Sequence, residues 1–299
     1  MTRALELVAE SEPSTAKARV LAMSARLRML ANENDEAIVI ANDALTIAET
    51  LGLDEIRAHS LTTRGASMNK VDSTRGRADV EEALRIALEA NSPIAAVVAN
   101  NLAVLATWRG DLREAGGLYV EAGELAKRFG DENALRFTRG NVIYSNFFLG
   151  EWDTALASAD EFIAECGTSP HYMEGGARNV RSLIRFGRGD AAGALEDMRI
   201  NLAQAREIMD PQRLLPSLEN AARLLCLAGR REEALAHARE VIDLLREHVA
   251  LAGALGQIVI VVDELGLRNE LLEILHRAPP GPWVEVVRAA VSGDFARAR

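Results

Sequence analysis

Aromatic residues are scarce in this chain, at 4% of 299 residues, while Ala and Leu abound. A β-sandwich core draws on aromatic and β-branched side chains, so the scarcity disfavours one. Small side chains suit close helix–helix contacts instead. Cysteine is nearly missing too. Cys166 and Cys226 show no CxxC spacing and make no disulfide framework, which fits a reduced, cytoplasmic protein. No run approaches the ~18 apolar residues that read as a transmembrane helix. The N-terminal stretch MTRALELVAESEPS carries acids where a signal peptide needs an apolar segment. Basic charge is not in excess either. A formal charge of −10 argues against general binding to nucleic acid or an anionic membrane, because both need a basic footprint.

Catalytic motifs are also lacking. Neither the GxxxxGKS/T phosphate loop nor GxGxxG occurs. The histidines (His59, His171, His237, His248 and His276) have no HExxH or paired-cysteine context, so packing or surface roles are expected for them. Cys226, in ARLLCLAG, reads as a small buried hydrophobe; Cys166, in AECGTSPH, reads as an exposed loop residue with nothing to activate it. The carboxylate pair Glu232 and Glu233 falls at a helix start, where it favours the dipole. No enzyme activity, metal or cofactor is expected.

What the chain does contain is a repeat. The stretch NNLAVLATWRGDLREAG at 100–116 returns as GNVIYSNFFLGEWDTAL, RSLIRFGRGDAAGAL and AARLLCLAGRREEAL. Gly110, Gly150, Gly189 and Gly229 recur with a period of about forty residues, and Ala115, Ala155, Ala194 and Ala234 follow five positions behind. Ala37 falls in the same column two periods before Ala115. Between them, KVDSTRGRADVEEALRIA reads as a looser copy whose turn is lengthened around Gly76. Each glycine supplies the left-handed backbone that closes a first helix. Asp111 or Asp190 then caps the second helix, with Asp111 and Glu114 at capping-box spacing. One such pair cannot bury its own apolar face, so a stack of pairs is the folding unit. The expected fold is all-α: a right-handed superhelical solenoid of antiparallel helix pairs, about seven of them, in one array over 1–299.

The GD-x-x-x-A turn, with small residues at the helix crossing (Ala25, Ala103, Ala222) and late in the second helix (Ala44, Ala122), resembles the tetratricopeptide repeat (TPR). The longer period is similar to repeats found C-terminal to nucleotide-cyclase or ATPase modules in large bacterial signalling regulators. Ser24, Arg28 and Ala99 stand where that family carries large aromatics. Aligning the fifth unit by its GD puts Arg181 and Arg185 at buried positions; sliding it one residue buries Ala177, Val180 and Ile184 instead, which costs less. The opening residues 1–13 read as part of a missing earlier pair, and 283–299 as an incomplete last unit. This suggests a segment of a longer polypeptide with an attached output domain, and unprotected ends open to self-association.

In such a stack the first helices line a concave groove. Asn101, Asn141 and Asn220 lie nine positions before a turn glycine, and Asn100 and Asn179 are also on first helices. The resemblance implies a ladder of asparagines that bonds a peptide backbone, since an amide side chain both donates and accepts. The competing reading is that these asparagines bridge adjacent helices. Arg136, Arg139, Arg178, Arg181 and Arg185 also fall on first helices, while acids such as Asp160, Glu165, Glu196 and Asp197 crowd the second helices. A basic mid-groove favours an acidic peptide; ion pairing between repeats is the alternative. Tyr144, Trp108, Phe147, Phe148 and Phe186 lie in the same helices, with Tyr144 a candidate for the groove wall and core packing accounting for most. The reading is a non-catalytic protein- or peptide-binding scaffold, the sensory or assembly arm of a bacterial regulator. Capture of a ligand would change the curvature of the array and so the state of an output module. A regulatory site for an anionic small molecule or nucleotide in the Arg-rich groove is the alternative.

Overall fold

A computed structural model describes residues 2–69, 71–294 and 296. It is all-α, with no strand among the described residues. Contacts divide the chain into two compact units, residues 1–138 and 139–299.

Unit 1 holds α1 (Thr2–Ala9), α2 (Thr15–Leu30), α3 (Asn34–Thr50), α4 (Asp54–Met68), α5 (Ser73–Glu89), α6 (Ile94–Trp108), α7 (Leu112–Phe129) and the start of α8 (Glu132–Phe148). The pairs α2/α3, α4/α5 and α6/α7 pack as hairpins, and α1 packs on α2. Unit 2 holds the rest of α8, then α9 (Trp152–Cys166), α10 (Glu174–Gly187), α11 (Ala191–Ile208), α12 (Pro211–Leu227), α13 (Arg231–Glu247), α14 (Arg268–Arg277) and α15 (Pro282–Ser292). Here α9 packs on α10, and α10/α11 and α12/α13 form hairpins.

The glycine column behaves as its residue type requires. Gly110, Gly150, Gly189 and Gly229 have φ of 84°, 81°, 90° and 78°, each just past the end of a first helix. The alanine column is buried at Ala37, Ala115, Ala155, Ala194 and Ala234, as are Ala25, Ala103, Ala222, Ala44 and Ala122. Gly76 is a correction. It lies inside α5 rather than in a lengthened turn, and it fills the missing member of the alanine column, midway between Ala37 and Ala115. The turn is upstream, where Asp72 caps α5 by accepting from the Arg75 N–H at 3.0 Å.

Asp190 caps α11 through the Gly193 N–H at 2.9 Å. Asp111 makes no such cap: its carboxylate pairs with Arg109 at 2.6 Å, and Glu114 pairs with Arg77 at 2.7 Å instead of closing a capping box. Cys166 is not a loop residue. It ends α9 and is buried, as is Cys226.

The fifth unit takes the slid register, with Ala177, Val180 and Ile184 each fully buried at 0% exposure. The regular pairs break after α13. Residues 249–266 form two short 3-10 helices, Val249–Ala254 and Ile258–Ile260, followed by turns. Two glycines, Gly253 and Gly256, and the β-branched run Ile258–Val262 lower helix propensity there. Beyond Asp294 only Ala296 is described, so the new helix anticipated at the end lies outside the described residues.

Candidate functional site

In unit 1 the first helices α2, α4 and α6 and the start of α8 enclose a cavity of about 310 Å³. That volume is at the lower end of the size of a small-ligand pocket. Its walls follow the repeat: His59, Val98 and Phe137 succeed one another at one-period steps, as do Thr62 and Asn101. Met29, Leu30, Val97 and Val104 supply further apolar surface.

The polar groups in this cavity are only partly used by their own helices. Asn101 donates one N–H to the Val97 carbonyl at 2.8 Å, leaving its Oδ1 and second N–H without a partner among the described residues. Thr62 donates to the Ala58 carbonyl at 2.7 Å and Thr138 to Ala134 at 2.8 Å, so each hydroxyl oxygen keeps its lone pairs. His59 has a buried Nδ1 with no partner among the described residues. Burial first, then the charge of Arg26, lowers its pKa and keeps the imidazole neutral. Arg26 itself is exposed, with no carboxylate in ion-pair range among the described residues. At the other end Asp131 caps α8 by accepting from the Ala134 N–H at 2.9 Å.

Unit 2 treats the remaining expected groove residues differently. Asn179 and Asn220 are buried, at 4% and 1% exposure, and they face each other instead of a groove. The Asn179 Oδ1 accepts from Asn201 Nδ2 at 2.6 Å and from Asn220 Nδ2 at 3.1 Å. Asn220 also donates to Ser182 at 2.8 Å, and Asn201 to Ser217 at 2.9 Å. The network joins α10, α11 and α12, so these two asparagines are interhelical bridges. Tyr144 belongs to the same interior: it hydrogen-bonds Asn179, and burial raises its pKa. Its ring lies against Gly176, where a Cβ would meet Cε2 at 2.8 Å. Asn141 is half-buried and partnered.

The basic mid-groove is likewise corrected. Arg178, Arg181 and Arg185 converge on Asp197, whose side chain is 2% exposed, with distances of 3.1, 2.5 and 3.0 Å. Glu174 takes a second bond from Arg178 at 2.7 Å, and Asp160 one from Arg181 at 2.7 Å. Three cations meet four acids, Asp190 lying 3.8 Å from Arg185, so no net positive charge is left to attract an anion. Arg139 forms a bidentate pair with Glu165 at 2.7 and 2.8 Å. Of the aromatics, Phe148 is exposed and joins Phe147 and Trp152 in a surface cluster, with Phe147 stacked on Trp152 at 6.0 Å.

No protein-family profile matches the chain, and no curated protein matches it in sequence. Solved structures match its fold. A Rap protein complexed with Competence and Sporulation Factor aligns at a TM-score of 0.72 and 14% identity, covering 99% of this chain and 80% of that one. The apo form of RapI aligns at 0.62 and 15% identity, covering 81% and 87%. A set of nearly identical TPR-like repeats from Podosopora anserina aligns at 0.50 and 14%, covering 66% and 98%. The chain therefore has a TPR-like helical-repeat fold.

Of the residues lining this cavity, sequence reasoning singled out Asn100 and Asn101 and passed over Thr62, His59 and Arg26. Thr62 and His59 stand one period before Asn101 and Val98, so the repeat itself carried the signal. Arg26 had none, because its value lies in the acid that does not face it. The described residues hold no cluster of three or more metal-ligating side chains and no helix long and apolar enough to cross a membrane.

Proposed function

We propose that the chain is a non-catalytic, peptide-binding helical-repeat module and that the cavity of unit 1 is its capture site. The observation that carries this reading is Asn101. It stands at the asparagine position of the repeat, lines an apolar cavity, and keeps one donor and one acceptor unspent. An extended peptide presents the complementary pair in every peptide unit. Thr62, one period earlier, adds a second acceptor on the same wall. Apolar side chains of the ligand pack on Val97, Val104 and Phe137, and an acidic one fits Arg26. The structural match to a Rap protein bound to Competence and Sporulation Factor supports a binding role. With the resemblance to regulator repeats, it supports a place as the sensory or assembly arm of a bacterial signalling protein.

The test is a random-peptide display selection on the wild-type protein, with recovered peptides re-measured on Asn101→Ala. The reading predicts at least a tenfold weaker Kd for the variant, consistent with about 1.4 kcal/mol for a backbone hydrogen bond made in a dry site. Peptides that bind both proteins equally would move the site elsewhere.

A further inference from the structure

Glu219 is the one acid that is fully buried without a cationic partner among the described residues, at 1% exposure on α12. Its Oε1 instead accepts three backbone N–H bonds, from Gly256 at 3.1 Å and from Gln257 and Ile258 at 3.2 Å each. Those amides open the second 3-10 helix, in the segment where the regular α-helix of the repeat fails. The next residue of this face one turn on, Arg223, holds the same segment through the Gln257 side chain.

No cation lies within ion-pair range of Glu219 among the described residues. On its own helix Arg213 donates to the neutral Asn201 at 3.3 Å and Arg223 to the neutral Gln257, and neither reaches the Glu219 carboxyl. From α10 come the neutral Asn179 and Ser182; from α11 come Asn201 and Asp197, the latter matched by its three arginines. Tyr144, from α8, is neutral. The buried side chains of α13 are Ala234, Ala238, Val241, Ile242 and Leu245, and those of segment 249–266 are apolar as well, Leu255, Ile258, Val261 and Val262 among them. A carboxylate in such a place costs several kcal/mol in solvation. The three amides offset part of that cost.

We propose that Glu219 is a proton-operated latch: protonated, it stays buried and keeps segment 249–266 closed on α12; ionised, it drives the segment open. Burial, opposed by the three amide bonds, lifts its pKa from 4.5 to about 7, so the proton binds the closed state more tightly than the open one. Linkage then fixes the direction. Between pH 4.5 and about 7 the opening equilibrium rises by up to about tenfold per pH unit. Near neutrality small changes in pH therefore alter how firmly the C-terminal part of unit 2 is held.

Amide hydrogen exchange at Gly256, Gln257 and Ile258, corrected for intrinsic rates, tests the latch at pH 5.5 and 7 in the wild type and in Glu219→Gln. The variant keeps an oxygen acceptor but cannot ionise. We expect the wild-type opening constant to rise about fifteenfold over this interval, the closed state being half-ionised at its upper end, and the variant's to stay flat. An unchanged wild-type constant, or an equal rise in the variant, would overturn the proposal. A ¹³C titration of the Glu219 carboxyl in the wild type needs no variant. A midpoint near 7 supports the latch, and one below 5 refutes it.

Discussion

Gly65 of α4 and Gly76 of α5 meet backbone to backbone: a Cβ built on either would lie 2.5 or 2.6 Å from the carbonyl oxygen of the other. The Arg64–Asp79 ion pair, at 2.7 Å, spans the same crossing. The hairpin α4/α5 thus closes more tightly than pairs with alanine in this column. Gly76→Ala forces backbone apart and should lower stability by ~1–3 kcal/mol in urea unfolding. Gly117→Ala, on α7 with nothing within 4 Å of its added methyl, should raise stability by up to ~1 kcal/mol.

Asp197 is the single buried acid beneath three guanidinium groups. Removing it leaves Arg178 and Arg181, both mostly buried, short of a partner. Asp197→Ala should cost ~3–5 kcal/mol by chemical denaturation. Exposed pairs such as Arg199–Glu196 contribute little by comparison.

The asparagine junction makes an ordered prediction. Asn179→Ala leaves the amides of Asn201 and Asn220 facing an empty site, and should destabilise by ~1–3 kcal/mol. Asn220→Ala leaves the Asn179 oxygen still bonded to Asn201, so it should cost less. Thermal or urea unfolding of the two variants checks the order. Neither should weaken ligand capture in unit 1.

Global stability should also carry the sign of Glu219. Its folded pKa is raised to about 7 from 4.5, so its contribution is complete below 4.5 and is lost as pH rises through about 7. His59 acts the other way, because its pKa is lowered and acid pH costs stability. The wild-type minus Glu219→Gln difference, from urea midpoints across pH 5–8, isolates the glutamate. It should fall as pH rises.

The repeat was legible because it rests on local chemistry. A left-handed turn needs Gly at 110, 150, 189 and 229, and a close crossing needs a small residue five positions later. Gly76 misled for the same reason: glycine signals a turn and a tight crossing alike, and only packing separates them. The fate of Asn179, Asn220, Arg178 and Arg185 was not legible. Their partners Asn201 and Asp197 lie on the next helix, and a side chain's face shifts with a one-residue slip of register. Asn100 and Asn101, both expected on first helices, line the cavity of unit 1.

The most direct test of peptide capture in unit 1 is fluorescence anisotropy with one display-selected, dye-labelled peptide. It is titrated with the wild type, with Asn101→Ala, and with Arg178→Ala/Arg185→Ala. The account predicts that Asn101→Ala weakens binding at least tenfold while the arginine double variant keeps the wild-type Kd. Loss of binding in the arginine variant with full affinity in Asn101→Ala would contradict it and place the ligand in unit 2.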